Sequence, residues 1–429
     1  MKQARSRKGT TQPRCEPTPV THARVPVRRT RAIMLGGLLL VTLLAGVLLG
    51  PAAVQRYCVI EAQQALRRYD LPLAEQWIER AGGAGSTHPD VHFLRARLAR
   101  RQGRISEARL ALEQVTRFGG DPVRAEHENW LIAAQVGELI NEEERLRTLF
   151  SNPGGDEPAI CEAFVNGYLR NYRFGDALPM LAAWEADFPE DSQAPFCRGL
   201  VWLHMKLTKK AAEQFQRAAE LAPHRRDVRL AWAAALSDLH EYDAANQLYA
   251  ACYAEQPRDL SLLVGWANCL LALGQMERVE KLLQEASGLD ANSLQVLLLQ
   301  GRVAISQGRP ADALPPLEVA ERLDPRHPDV RYELGTALQM LGRREKAKPH
   351  LEYAQAATLA LNQARSWMGQ IQENPRLVEP RYQVGLTLLQ YGAAADGLAW
   401  LRSVLQLEPN HAQALAAIAA HTQTRTSNP

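Results

Sequence analysis

His88 and His92 stand four apart, the spacing that sets two imidazoles on one face of a helix and could hold a metal ion. The pair straddles Pro89 at a turn and lacks a third ligand, so both read as surface histidines. The six cysteines, Cys15, Cys58, Cys161, Cys197, Cys252 and Cys269, form no C-x-x-C pair, which argues against zinc. In a helical chain of this size buried free thiols are the expectation. No Ser-His-Asp order, phosphate-cradling glycine loop, H-E-x-x-H or paired-carboxylate site stands out. Glu142, Glu143 and Glu144 read as a solvated helix face. The chain therefore offers no catalytic residues, no metal and no cofactor, and reads as something other than an enzyme.

Charge is unevenly placed. Residues 1–31 hold nine of the 50 Lys and Arg but only one of the 47 acids, Glu16. The remaining 41 basic and 46 acidic residues make the main body mildly acidic, which argues against a nucleic-acid groove. No charge occurs over residues 32–55, and the core of that run, AIMLGGLLLVTLLAGVLLG, is apolar on every side. At about 1.5 Å per residue its length approaches the roughly 30 Å hydrocarbon thickness of a bilayer. A cleaved signal peptide is the alternative, but its basic and apolar regions are usually shorter, and Gly50-Pro51-Ala52 is a poor cleavage site. The expectation is a single uncleaved transmembrane helix, a signal-anchor over residues 32–54. The positive-inside rule keeps the basic, disordered tail (1–31) cytoplasmic and puts the body on the outer side of the cytoplasmic membrane.

The rest of the chain is periodic. Pro189, Pro223 and Pro257 are 34 apart, as are Gly274, Gly308 and Gly342, and Ala177, Ala211 and Ala245. Ala313 and Ala347 continue the last column. Within one repeat, residues 301–325, the small Gly301 precedes the turn glycine Gly308 by seven, Ala313, Leu317 and Ala320 follow at helical spacing, and Asp-Pro closes. Small residues let two helices approach, glycine supplies a φ > 0 turn between them, and proline ends the second. This pattern resembles the tetratricopeptide repeat, a 34-residue helix–turn–helix, and its closing repeat, around 397–411, looks similar to that of membrane-anchored bacterial members.

The resemblance implies an all-α, right-handed solenoid of about ten repeats, beginning near Gln55, Pro89, Val123, Pro158, Ser192, Arg226, Leu260, Leu294, Pro328 and Val378. The expected divisions are divergent repeats over 55–157 and regular ones over 158–361. A helical extension over 362–377, a last repeat with its capping helix over 378–421, and a disordered tail over 422–429 follow. The third repeat departs from the pattern, with Trp130 where a small residue belongs and the loop SNPGGDEP after it.

In that family the first helix of each repeat lines a concave binding face. The fifth position of repeats five to ten reads Phe196, Leu230, Val264, Leu298, Tyr332 and Tyr382, and the ninth position supplies Asn268 and Arg302. An apolar stripe edged by Asn268 and Arg302 would suit an extended or helical peptide. The same positions could instead pack between helices, and full burial would leave only that reading. The two-carboxylate clamp of the chaperone-binding subclass is absent, because Glu162 stands before Asn166 and Val264 before Asn268 where a basic residue is needed. The expected function is a membrane-anchored scaffold binding protein or peptide partners, with no small-molecule substrate. The alternative is an accessory or assembly subunit of an envelope enzyme or secretion complex.

Overall fold

The computed structural model describes residues 51–426 apart from residues 140 and 375. The expected membrane segment lies outside the described residues up to residue 50. Pro51, which breaks the apolar run in the sequence, heads the first described helix. Among the described residues no helix is long and apolar enough to cross a membrane. The chain divides into two compact bodies, residues 1–57 and 58–429, and the account below concerns the second.

Twenty-one α-helices are described, ten antiparallel pairs and one final helix. The first helices of the pairs are Pro51–Arg67, Pro89–Arg101, Pro122–Gln135, Glu157–Arg170, Gln193–His204, Arg226–Asp238, Leu260–Ala272, Leu294–Ser306, Pro328–Met340 and Val378–Tyr391. The second helix of repeat nine, Arg344–Glu373, is 30 residues long. It takes up the helical stretch foreseen after residue 361, because no proline follows Pro349 within the helix before it ends at Asn374. The final helix, Ala412–Thr426, continues past residue 421 into the stretch expected to be disordered.

Nine of the ten pairs are closed by the same turn, whereas Gly392 in the tenth is extended. The second residue after the first helix has φ > 0, and the next amide bonds to the carbonyl five residues back, as in Gln275 N to Leu270 O at 3.0 Å and Leu207 N to Trp202 O at 2.8 Å. Glycine fills this place at 103, 137, 274, 308 and 342, but Tyr69, Tyr172, Lys206 and His240 occupy it elsewhere. A side chain there crowds the following carbonyl. Lys206→Gly should therefore raise stability by up to about 1 kcal/mol, the relieved strain less the attraction of the exposed Lys206 for Asp238. A higher urea midpoint at unchanged slope is the expected reading, and a lower midpoint would refute the strain.

The close approach of paired helices is equally specific. A Cβ on Gly301 would lie 2.5 Å from the Leu317 side chain, and one on Gly199 would lie 2.5 Å from the Phe215 ring. The sequence columns of small and large residues are thus two sides of one contact. Ala211, Ala245, Ala313, Leu317 and Phe215 are all fully buried.

The array also touches itself at a distance. Arg381 in repeat ten donates to the Tyr172 carbonyl at 2.7 Å across 209 residues of sequence, and to Ser403 Oγ at 3.1 Å. Trp400 lies 4.5 Å from the Tyr172 ring and 5.5 Å from Phe174. Gln406 Nε2 donates to Asn171 Oδ1 at 3.2 Å. Repeat ten is thereby docked on the turn of repeat four. Burial, followed by the Asp396 carboxylate, pushes the Tyr172 phenol up.

Candidate functional site

The position-five residues do not share one environment. Val264 and Leu298 are 8% exposed and belong to the core. Phe196 and Leu230 are half-buried. Tyr332 is 55% exposed. Tyr382 is half-buried, its ring 5.2 Å from that of His411 at the head of the final helix. Burial is deepest mid-array, where Val264 and Leu298 fill the space between neighbouring first helices, and a bulky tyrosine at repeat nine stands out of it.

Asn268 and Arg302 do meet, but in contacts within the chain. Asn268 Nδ2 donates to Val264 O at 2.9 Å, and its Oδ1 accepts from Arg302 Nη1 at 3.3 Å. Arg302 also donates to Glu333 at 2.9 Å and Asp329 at 2.8 Å. This arginine ties three successive repeats together. Burial holds the Glu333 carboxyl above its usual range even with Arg302 beside it.

A second constellation lies near the N-terminal end of the array. Arg100 is fully buried and donates to Glu128 at 2.7 Å and Gln135 at 2.8 Å. Arg97 donates to the other Glu128 oxygen at 3.1 Å and to Asp156 at 2.8 Å. Arg101 donates to Glu162 at 2.9 Å, and Gln193 completes Glu162 at 3.2 Å. Beside them opens a cleft of about 880 Å³ with Tyr69, Trp184, Asp191 and His224 in its walls. Burial pushes the Asp191 carboxyl up, against the bonds it accepts from Gln193 N and Trp184 Nε1. The sequence columns did not flag this network, although Glu128 stands in a column that reads Cys197, Ala231, Gly265, Leu299 and Glu333 in later repeats. Carboxylates in an otherwise apolar column were the available signal, and Glu333, the other one, is likewise paired with an arginine.

His92 corrects the expectation of a surface residue. It is buried, with Nε2 2.7 Å from Ser86 O and its ring stacked 5.3 Å from Phe118. The turn at Pro89 folds it inward, while His88 caps the helix by accepting from Asp90 N at 3.3 Å. Among the described residues no group of three or more His, Cys, Asp or Glu could hold a metal, and the five cysteines there are free and buried.

Tetratricopeptide-repeat family models match residues 163–225, 236–303 and 304–358. No curated protein matches the chain. Among solved structures it is similar to the APC/C hetero-tetramer Cut9–Hcn1, at 13% identity and a TM-score of 0.37, over 84% of this chain and 82% of that one. It is similar to a tetratricopeptide repeat protein from Parabacteroides merdae at 17% identity and a TM-score of 0.35, over 67% and 99%. A third similar structure is YrrB, a tetratricopeptide repeat protein with an unusual peptide-binding site, at 19% identity and a TM-score of 0.28, over 48% and 98%.

Proposed function

We propose that this chain, whose repeats are tetratricopeptide repeats, is a scaffold that receives partner peptides or proteins on its concave face and is held to a membrane by residues 32–54. Tetratricopeptide repeats serve as protein-interaction scaffolds, and the fold is generally non-catalytic. The observation that carries the reading is Tyr332. It is 55% exposed, and Met340, two helical turns further along the same helix, is 49% exposed. Arg302, Asp329 and Glu333 supply a polar border. An exposed aromatic with a flexible apolar neighbour and a polar rim has the make-up of an interface hot spot. The charge asymmetry across residues 32–54 supports a body on the outer side of the membrane.

A photo-crosslinking residue placed at Tyr332 in the full chain, in intact cells, tests both parts. It should capture a discrete partner, and Met340→Ala should lower the yield at least fivefold, the effect of losing about 1 kcal/mol of binding. The same residue at Leu110, exposed on a second helix, is the control. Equal capture at both places would remove the groove. An exported or envelope protein as the captured species supports the outward body, and a cytosolic one reverses it.

A further inference from the structure

Three residues of the first helices of repeats four and five, Glu162 and Gln193 buried and Phe196 half-buried, are covered by other parts of this chain. Glu162 and Phe196 hold position five of those repeats, and Gln193 holds position two of repeat five. Arg101, at the end of the first helix of repeat two, donates to Glu162 at 2.9 Å. It also donates to the Leu66 carbonyl, which fixes it against the turn of repeat one. That turn carries Tyr69, whose ring has the Arg101 guanidinium at 4.9 Å and that of Arg225 at 4.2 Å. Arg225 in turn faces the Phe196 ring at 4.9 Å and donates to Ser192 Oγ at 3.2 Å. A stack thus runs from repeat one through Arg225 to the concave face of repeat five.

We propose that repeats one and two are an intramolecular occupant of the groove, with Tyr69 as the side chain that closes its Phe196 end and must leave before a partner can run the full face. The proposal rests on the concave face being the partner surface. Three features fit a displaceable contact better than ordinary core. Tyr69 is half-buried where the core aromatics Phe164, Phe174 and Phe215 are at most 1% exposed. The contact consists of guanidinium–ring faces, side-chain hydrogen bonds and the ion pairs Arg101–Glu162 and Arg97–Asp156, polar contacts that tolerate solvent better than packed aliphatic side chains do. The 880 Å³ cleft runs directly beside it, with Leu66, Tyr69, Arg101 and Gln193 among its walls. Tyr69 also holds the φ +57° place that glycine takes in five other repeats, so the ring is kept there against backbone preference.

Cys197 reports on this contact. It is fully buried one residue after Phe196, and its Sγ accepts from Gln193 Nε2 at 3.5 Å. Burial and the Glu162 charge push its thiol up. Iodoacetamide labelling of the full chain, followed by peptide mapping, measures each cysteine separately. Tyr69→Gly removes the ring while giving the turn its preferred residue. It should speed alkylation of Cys197 at least tenfold and leave Cys252 and Cys269 within twofold of the parent. An unchanged rate at Cys197 overturns the proposal. So does an equal rise at all three, which would mean general loosening. No partner enters this measurement, so its failure is separate from a failure of the Tyr332 crosslink.

Discussion

Trp400→Ala should destabilise the docked end of the array by about 3–5 kcal/mol, the usual cost of emptying a buried tryptophan site. Trp400 is fully buried, though it lies in the last helix pair of a linear array, where one face ordinarily meets only water or a cap. Its contacts are Tyr172 at 4.5 Å, Phe174 at 5.5 Å and the Arg381 guanidinium at 5.6 Å. Aromatic pairs of this kind contribute roughly 0.5–1.5 kcal/mol beyond the area they bury. Arg381 is 3% exposed, and burial pulls its guanidinium down to about 10, so removing the ring would also wet a charge held by Tyr172 O and Ser403. Trp400 Nε1 has no hydrogen-bond partner. Trp400→Phe should therefore cost much less, below about 1.5 kcal/mol, because the ring volume largely stays and an unpaired donor goes. Native-state hydrogen exchange reads the effect by segment. The alanine variant should lose protection over residues 378–407 while repeats six to eight keep theirs. Uniform loss along the chain would mean that Trp400 is ordinary core and the docking adds nothing local.

The repeats themselves were open to reading in the sequence because each contact inside a repeat, or between neighbours, recurs at a fixed offset. Gly301 against Leu317 and Gly199 against Phe215 are the same contact written in separate repeats. The ten starting points and the long helix of repeat nine follow from such columns. What the columns do not encode is contact between repeats far apart, which depends on rotation accumulated over many small steps. The docking of repeat ten on repeat four and the placement of Tyr69 over repeat five both arise that way.

A trace of each was nevertheless present. The φ > 0 column holds glycine at five places and a tyrosine at two, Tyr69 and Tyr172. Those two turns are the ones that meet distant repeats, Tyr69 through Arg225 and Tyr172 through Trp400. At these two buried or half-buried tyrosines a remote contact offsets the local strain, whereas the exposed Lys206 and His240 bear it without one. For the candidate groove, identity at position five was legible, but exposure was not. Val264 and Tyr332 occupy equivalent positions, and only the packing of neighbours leaves one in the core and the other outside.

Glu128→Gln should cost about 3–5 kcal/mol, because it strands a buried cation. Glu128 is 1% exposed and accepts from Arg100 at 2.7 Å and Arg97 at 3.1 Å. Arg100 has no exposed surface at all. Burial alone would raise the Glu128 carboxyl, but the Arg100 and Arg97 charges more than reverse it, leaving it below the ordinary carboxylate range. A carboxyl with a depressed folded-state pKa contributes stability that is fully present above its unfolded value near 4.3 and is lost as pH falls through the folded value. The parent should therefore weaken on acidification below about pH 4.3, and the glutamine variant should lack that part of the slope. Arg97 keeps Asp156 as a partner in the variant, whereas Arg100 keeps only the Gln135 amide. Glu128→Leu combined with Arg100→Met should recover stability to within about 2 kcal/mol of the parent, since a buried ion pair is often replaceable by apolar groups of similar volume even where breaking it is costly. Urea titrations of the three chains at pH 7 and pH 4 separate the cases. If the double variant is no more stable than Glu128→Gln, the network acts through hydrogen-bond geometry that apolar packing cannot replace, and the stranded charge is not the cause.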